Sequence, residues 1–265
     1  MYKPMLAKLF EEHMGDVERF LEMSESNFMV GQPKLDGVRA IASKSGIWSR
    51  NGKPLMPSLH KKMEPFFRDH PDTILDGEIY MAGVELPEIL SRVRLNQADK
   101  LKYWAFDIME SDTPFYKRAE KLMDFAMDGE IDVNENDEHS IHLCNMATLH
   151  SMDEILEKCV DYIAYFEGLI LRHPAMEYSP GRSAAILKLK PWETMEGKLM
   201  SIDTRRGVSI VEILGKLYSC IIAGRTSWWN ERTEWPAGLT VTVKFLKTPQ
   251  GELKTPVLLA VRDYE

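Results

Sequence analysis

Apolar and polar positions recur along this chain in short blocks, and each block predicts one element. Asp16-Val17-Glu18-Arg19-Phe20-Leu21 carries apolar residues three and four apart and predicts a short helix. Phe28-Met29-Val30 reads as a strand that Pro33 ends or bends, because proline has no N–H to give a ladder. Arg39-Ala40-Ile41-Ala42 resumes the extended pattern. Leu59, Met63, Phe66 and Phe67 share one side of a helix predicted from Pro57 to His70. Ile74 to Ile79 alternates as a strand, and Gly77 marks a bulge or a close backbone approach within it. Glu78 then points opposite to its neighbours, toward a cleft. Pro87 to Arg94 starts as a helix, Lys102 to Met109 is an aromatic strand, and Lys117 to Met127 is an amphipathic helix. Ser151 with Glu154 three residues on opens a helix running to about Phe166. Glu167 to Arg172 and Ala185 to Lys190 complete this part as strands.

After Trp192 only strands are predicted: Leu199 to Asp203, Val208 to Leu214, Leu217 to Ala223, Leu239 to Phe245 and Val257 to Val261. Five short strands in about seventy residues suit a small barrel of the OB kind. The expected architecture is therefore α+β over residues 1–192, with antiparallel sheets and flanking helices, followed by an all-β OB-fold domain over 193–265. Charge supports a break there. The chain has 33 basic and 41 acidic residues, yet beyond Trp192 the balance is 10 against 9. A uniformly basic nucleic-acid coat is excluded, so any DNA contact needs local patches.

The residues that could carry chemistry centre on Gln32-Pro33-Lys34-Leu35-Asp36-Gly37-Val38-Arg39, a lysine between two strands at an Asp-Gly turn. Taken alone, that is a hairpin with a surface lysine. Ser49-Arg50-Asn51-Gly52 is a second hairpin signal, with Arg50 at its entrance. Lys188 and Lys190 lie two apart on one strand face, where like charges repel unless an anion sits between them. Asp132 to Asp137 imitates the start of a calcium loop, but Asp137 stands where that loop needs glycine, so a solvated loop is expected. Cys144, Cys159 and Cys220 fit neither a disulfide framework nor a zinc site.

In order and approximate spacing, five of these stretches resemble the motifs of covalent nucleotidyltransferases: ATP-dependent DNA ligases, RNA ligases and capping enzymes. The wording of Lys34-Leu35-Asp36-Gly37-Val38-Arg39, the Glu88-Ile89-Leu90-Ser91-Arg92-Val93-Arg94 helix and the short terminal barrel are most similar to small ATP-dependent DNA ligases of viral or bacterial type. The resemblance implies that Lys34 is the nucleophile, taking AMP from ATP in a phosphoramidate bond. Gln32 would meet the base edge, and Phe106 would stack on adenine. Arg50 would contact a nucleotide or nick phosphate, Lys188 and Lys190 would meet a phosphate of the nucleotide, and Arg39 would help bind the nucleotide. Glu78 would meet the ribose or, with Glu167, hold Mg²⁺ or Mn²⁺. Arg39, Arg50, Arg205 and Arg206 are the candidate DNA contacts, and a joint near Trp192 to Gly197 would let the barrel swing. The implied partner is nicked duplex DNA, bound by a monomer. The tail from Lys254 departs from the family's last motif, and Asp263-Tyr264-Glu265 replaces its usual basic ending.

Three other readings stay open at this level: an RNA ligase with the same covalent step, a capping guanylyltransferase, and a non-catalytic nucleic-acid-binding module. Gln32 alone does not separate ATP from GTP, because a flipped amide would present a donor to guanine. The first residues lack a signal-peptide core and no run is long enough to span a bilayer, so the expectation is cytoplasmic, including a host cytoplasm for a viral source.

Overall fold

The structure is a computed structural model that describes residues 2–133, 139–190, 192–203, 205–222, 235–247 and 253–262. Its elements, in chain order, begin β1 (Met5–Leu9), α1 (Met14–Glu22), β2 (Met29–Pro33), β3 (Val38–Ser43), β4 (Gly46–Ser49), β5 (Pro54–Leu55) and α2 (Pro57–Asp69). There follow β6 (Leu75–Tyr80), α3 (Leu86–Arg94), β7 (Lys102–Ile108), α4 (Phe115–Met127), β8 (Ile141–Leu143), β9 (Ala147–Leu149) and α5 (Met152–Ile163). The rest are strands: β10 (Leu169–Arg172), β11 (Gly181–Leu189), β12 (Trp192–Asp203), β13 (Val208–Ile213), β14 (Lys216–Ile222), β15 (Thr240–Lys247) and β16 (Leu253–Val261). The chain divides into two compact units, Met1–Leu189 and Lys190–Glu265.

The first unit holds two sheets, ordered β1-β11-β10-β2-β9 and β5-β4-β3-β6-β7-β8. Most pairings are antiparallel, as expected, but β1–β11 and β7–β8 are parallel. Those parallel partners are far apart in sequence, which removes the constraint that a short turn places on strand direction. The predicted helical stripes are buried: Leu59, Met63, Phe66 and Phe67 of α2 pack into the core behind the second sheet. A separate cluster of Val17, Leu21, Leu149, Ile155 and Leu171 fills the space against the first. Ser151 Oγ accepts from the Glu154 N–H at 3.2 Å and caps α5, as its spacing foretold.

The second unit is a closed barrel, β12-β13-β14-β16-β15, with β14 and β16 parallel. Strand order and pairing direction are those of a five-stranded Greek-key barrel. Inward residues Leu199, Val211, Ile213, Cys220, Val243 and Phe245 form its core. The joint expected at Trp192 to Gly197 is corrected here. These residues are the first half of β12, laddered to β15 from Trp192 opposite Leu246 to Gly197 opposite Val241. A segment whose backbone groups are taken up by a ladder is not a hinge. The calcium-like stretch falls largely on 134–138, which lies outside the described residues, as do Ala223 and the last three positions.

Candidate active site

Lys34 does not sit in a hairpin. The strands on either side of it, β2 and β3, belong to different sheets. The lysine is the crossing point between them. Its backbone continues the β2–β10 ladder by one step: Lys34 N–H donates to the Gly168 carbonyl, and Glu167 N–H donates to the Lys34 carbonyl, both at 2.9 Å. This pairing places the Glu167 carboxylate against Lys34 Nζ in direct contact. Past the lysine the chain must turn tightly, and Gly37 is the residue that allows it. A Cβ there would strike the Ile79 carbonyl and lie 2.8 Å from Glu78 Cγ.

Strand periodicity aims the remaining side chains. In the first sheet Gln32, Ile170 and Lys188 stand opposite one another across β2, β10 and β11. Arg172 is two residues beyond Ile170 and shares its face. In the second sheet Arg39 stands opposite Glu78. The predicted irregularity at Gly77 is present: Asp76 pairs with Asp107 and Gly77 with Ala105, so Phe106 is the extra residue of a bulge. Phe106 lines the same cleft as the lysine. These residues line a cleft of about 280 Å³ in the first unit, with Arg50 at the turn after β4 on its rim. That is at the lower end of the roughly 300–1,000 Å³ usual for small-molecule pockets.

Electrostatics differ sharply among the cleft residues. Burial lowers the Lys34 pKa from its ordinary value, against the pull of Glu78 and Asp36. Lys188 is lowered too, by burial and then by Lys34. Burial raises Glu78 to about 7, outweighing the attraction of Arg39 and Lys34. Arg39 is held by a fork to Asp76, at 2.7 and 2.6 Å, and its guanidinium lies 4.5 Å from the Phe106 ring centre. Asp76 also accepts from the Tyr178 hydroxyl at 2.6 Å.

Spacing did not identify the carboxylates and arginines behind the cleft. Asp107 accepts from Arg118 at 2.7 and 3.0 Å and from Arg172 at 2.6 Å, all three side chains being almost wholly buried. Arg172 in turn donates to Gln32 Oε1 at 2.6 Å. Arg182, whose Nη1 reaches the Ala7 carbonyl at 3.3 Å, was also missed and adds a cation to the cleft wall. The signal for it was a Gly-Arg-Ser directly before an apolar strand. Lys190 lies beyond β11 as the first residue of the second unit, so the Lys-x-Lys pair is divided between units. Arg205 and Arg206 are exposed in the turn after β12, where Asp203 accepts both of their backbone N–H groups at 3.1 Å.

Magnesium usually binds through one or two carboxylates, completed by substrate phosphates and water. Glu78 and Glu167 meet that description, one lining the cleft opposite Arg39, the other against Lys34. Among the described residues there is no cluster of three or more His, Cys, Asp or Glu side chains to hold a metal without the substrate. The residues present therefore fit a hard cation that arrives with a polyphosphate.

Residues 4–190 match a family model described as an ATP-dependent DNA ligase domain. A DNA ligase of Haemophilus influenzae is 29% identical over 174 residues, covering 59% of this chain and 56% of that protein. The chain thus spans little more than half of that relative. Among solved structures, a Lig E DNA ligase superposes with a TM-score of 0.75 at 23% identity, covering 99% of this chain and 100% of that one. A Chlorella virus DNA ligase-adenylate gives 0.60 at 22%, covering 99% and 100%. The ATP-dependent DNA ligase of bacteriophage T7, in complex with ATP, gives 0.59 at 18%, covering 98% of each chain. At these identities the structures speak for the fold. No described helix is long and apolar enough to cross a membrane.

Proposed function

The chain belongs to the ATP-dependent DNA ligase domain family, and from that premise we propose that it seals 3′-hydroxyl/5′-phosphate nicks in duplex DNA through a lysyl-AMP on Lys34. The observation that carries this reading is the cleft itself. A partly buried lysine of lowered pKa faces cations and two carboxylates, and an aromatic ring and a buried amide line the same cavity.

The chemistry runs in three displacements. Neutral Lys34 Nζ attacks the α-phosphorus of ATP, a P–N bond forms, and pyrophosphate leaves with the electrons of the broken P–O bond. A nick 5′-phosphate oxygen then takes the AMP and returns the amine. The 3′-hydroxyl attacks the activated phosphate and expels AMP. Burial favours the neutral amine that the first step needs. Lys188 and Arg182, which line the cleft, would meet the charge that builds on the phosphate oxygens. Phe106 and Gln32 receive the base. Glu78 and Glu167 would hold Mg²⁺, which would supply a Lewis acid to the phosphates.

Arg50, Arg182, Arg205 and Arg206 are the exposed cations for the DNA backbone, whereas Arg39 is committed to Asp76 inside the cleft wall. On this reading the protein acts as a monomer on nicked duplex in the cytoplasm. The test is incubation with α-labelled ATP and Mg²⁺, followed by a denaturing gel. Wild type takes label and Lys34→Ala takes none. Label on neither would leave a nucleic-acid-binding module, and equal label on both would mean another nucleophile. Comparing all-DNA nicks with nicks containing RNA then separates a DNA ligase from an RNA ligase.

A further inference from the structure

A primary amide can present its oxygen or its nitrogen to a ligand, and only its other partners decide which. In Gln32 both ends are engaged by groups of one kind. Oε1 faces Arg172, whose guanidinium only donates, at 2.6 Å. Nε2 faces the Phe106 carbonyl, which only accepts, at 3.0 Å. Flipping the amide would break both bonds and set donor against donor and acceptor against acceptor. Gln32 is 1% exposed, so water cannot compensate at low cost.

Arg172 is itself immobilised. Its Nη1 donates to Asp107 at 2.6 Å, and the same carboxylate is gripped by Arg118 and by the Ile108 N–H at 2.8 Å. Its guanidinium lies 4.9 Å from the Phe115 ring centre and 5.4 Å from that of Phe106. The planar fork lets one side chain hold Asp107 and Gln32 together, which a lysine cannot do in a fixed geometry. Arg172 and Gln32 come from neighbouring strands of the first sheet, whereas Asp107 and Phe106 come from the second.

We infer that Arg172 is a positioning residue for purine choice: it locks the Gln32 amide in one orientation, so that the cleft matches adenine and disfavours guanine. The two bases differ in the needed sense, adenine carrying an amino donor where guanine carries a carbonyl acceptor. Each end of the amide keeps the capacity for one further bond, an acceptor at Oε1 and a donor at Nε2, in an order that Arg172 fixes. The inference rests on the reading that Gln32 meets the base.

The test measures lysyl-nucleotide formation from α-labelled ATP and GTP in wild type, Arg172→Lys, Gln32→Leu and the double variant. Arg172→Lys keeps a positive charge beside Asp107 but loses the fork. The expected result is an ATP-over-GTP preference that falls about tenfold, carried mainly in KM for ATP. In the Gln32→Leu background, Arg172→Lys is expected to add nothing. An unchanged preference in folded Arg172→Lys, or an equal loss in both backgrounds, would overturn the inference. An unchanged preference in Gln32→Leu would instead overturn the base-reading premise. Hydrogen exchange of the Gln32 side-chain amide in the wild type, assigned through its bonded carbons in isotope-labelled protein, does not depend on any variant folding. Slow exchange is expected, and exchange at the rate of an exposed glutamine would also overturn the proposal.

Discussion

Glu78 shows how a single side chain ties stability to the chemistry. Its folded pKa is about 7, raised from 4.5 chiefly by burial, so the folded protein holds its proton more tightly than the unfolded chain does. The stability linked to that proton is fully present below about pH 4.5 and is lost as pH rises through 7. A shift of this size corresponds to at most about 3 kcal/mol. In metal-free buffer, Glu78→Gln should therefore melt near wild type at pH 5 and above it at pH 8. Equal melting differences at both values would mean that the carboxylate is not desolvated. The same variant should lose nucleotide transfer, because the amide is a poorer ligand for a hard cation. Lys34, Gln32, Glu78, Phe106, Glu167 and Lys188 were legible from sequence because each stands at a fixed offset within a short motif. Arg172, Asp107 and Asp76 were not. Each is a charged residue inside or ending an apolar strand, and its partner lies on another element that no local spacing reveals.

Elements were legible to the extent that one stretch of chain determines them. The stripe of α2 and the cap of α5 depend on neighbours three and four residues away, and both are present. Ser151→Ala should cost about 1 kcal/mol, measurable as a lower urea midpoint with unchanged slope. The Asp36-Gly37 turn misled in an instructive way. Turn residues report local dihedrals and close approaches, but not which sheet the outgoing strand joins. Here β2 and β3 part company, and Gly37 is needed because the chain crosses from one sheet to the other against Ile79 and Glu78. Gly37→Ala should accordingly destabilise by several kcal/mol, since backbone lies in the way. Melting within 1 kcal/mol of wild type would show that the crossing can relax. The joint at Trp192 to Gly197 was implied by the resemblance alone, and a resemblance in motifs does not report which backbone groups a ladder takes up, whereas here the ladder to β15 begins at once.

At the scale of the whole molecule, each unit has its own core, so residues 1–190 made alone should unfold cooperatively by circular dichroism. A gradual melt would mean that the barrel is required for the first unit to fold. A net charge of −8 confines DNA binding to local cations, and affinity for a nicked duplex should fall steeply with salt, by a log–log slope of about −0.9 per phosphate engaged. A flat response would rule out the arginines named above as the main grip. The pairing of β1 with β11 also bears on how such a protein is made. Met5 N–H finds the Tyr178 hydroxyl 173 residues later, and the strand that completes the cleft's row, carrying Lys188, comes later still. At the ribosome's pace of about 5–20 residues per second, the first strand waits on the order of ten to thirty seconds for its neighbour. Through that interval a nascent chain carries Lys34 without Lys188, and its opening segment without a sheet. On the function proposed above, nucleotide charging would await the nearly finished first unit, because a product terminated before β11 would lack Lys188.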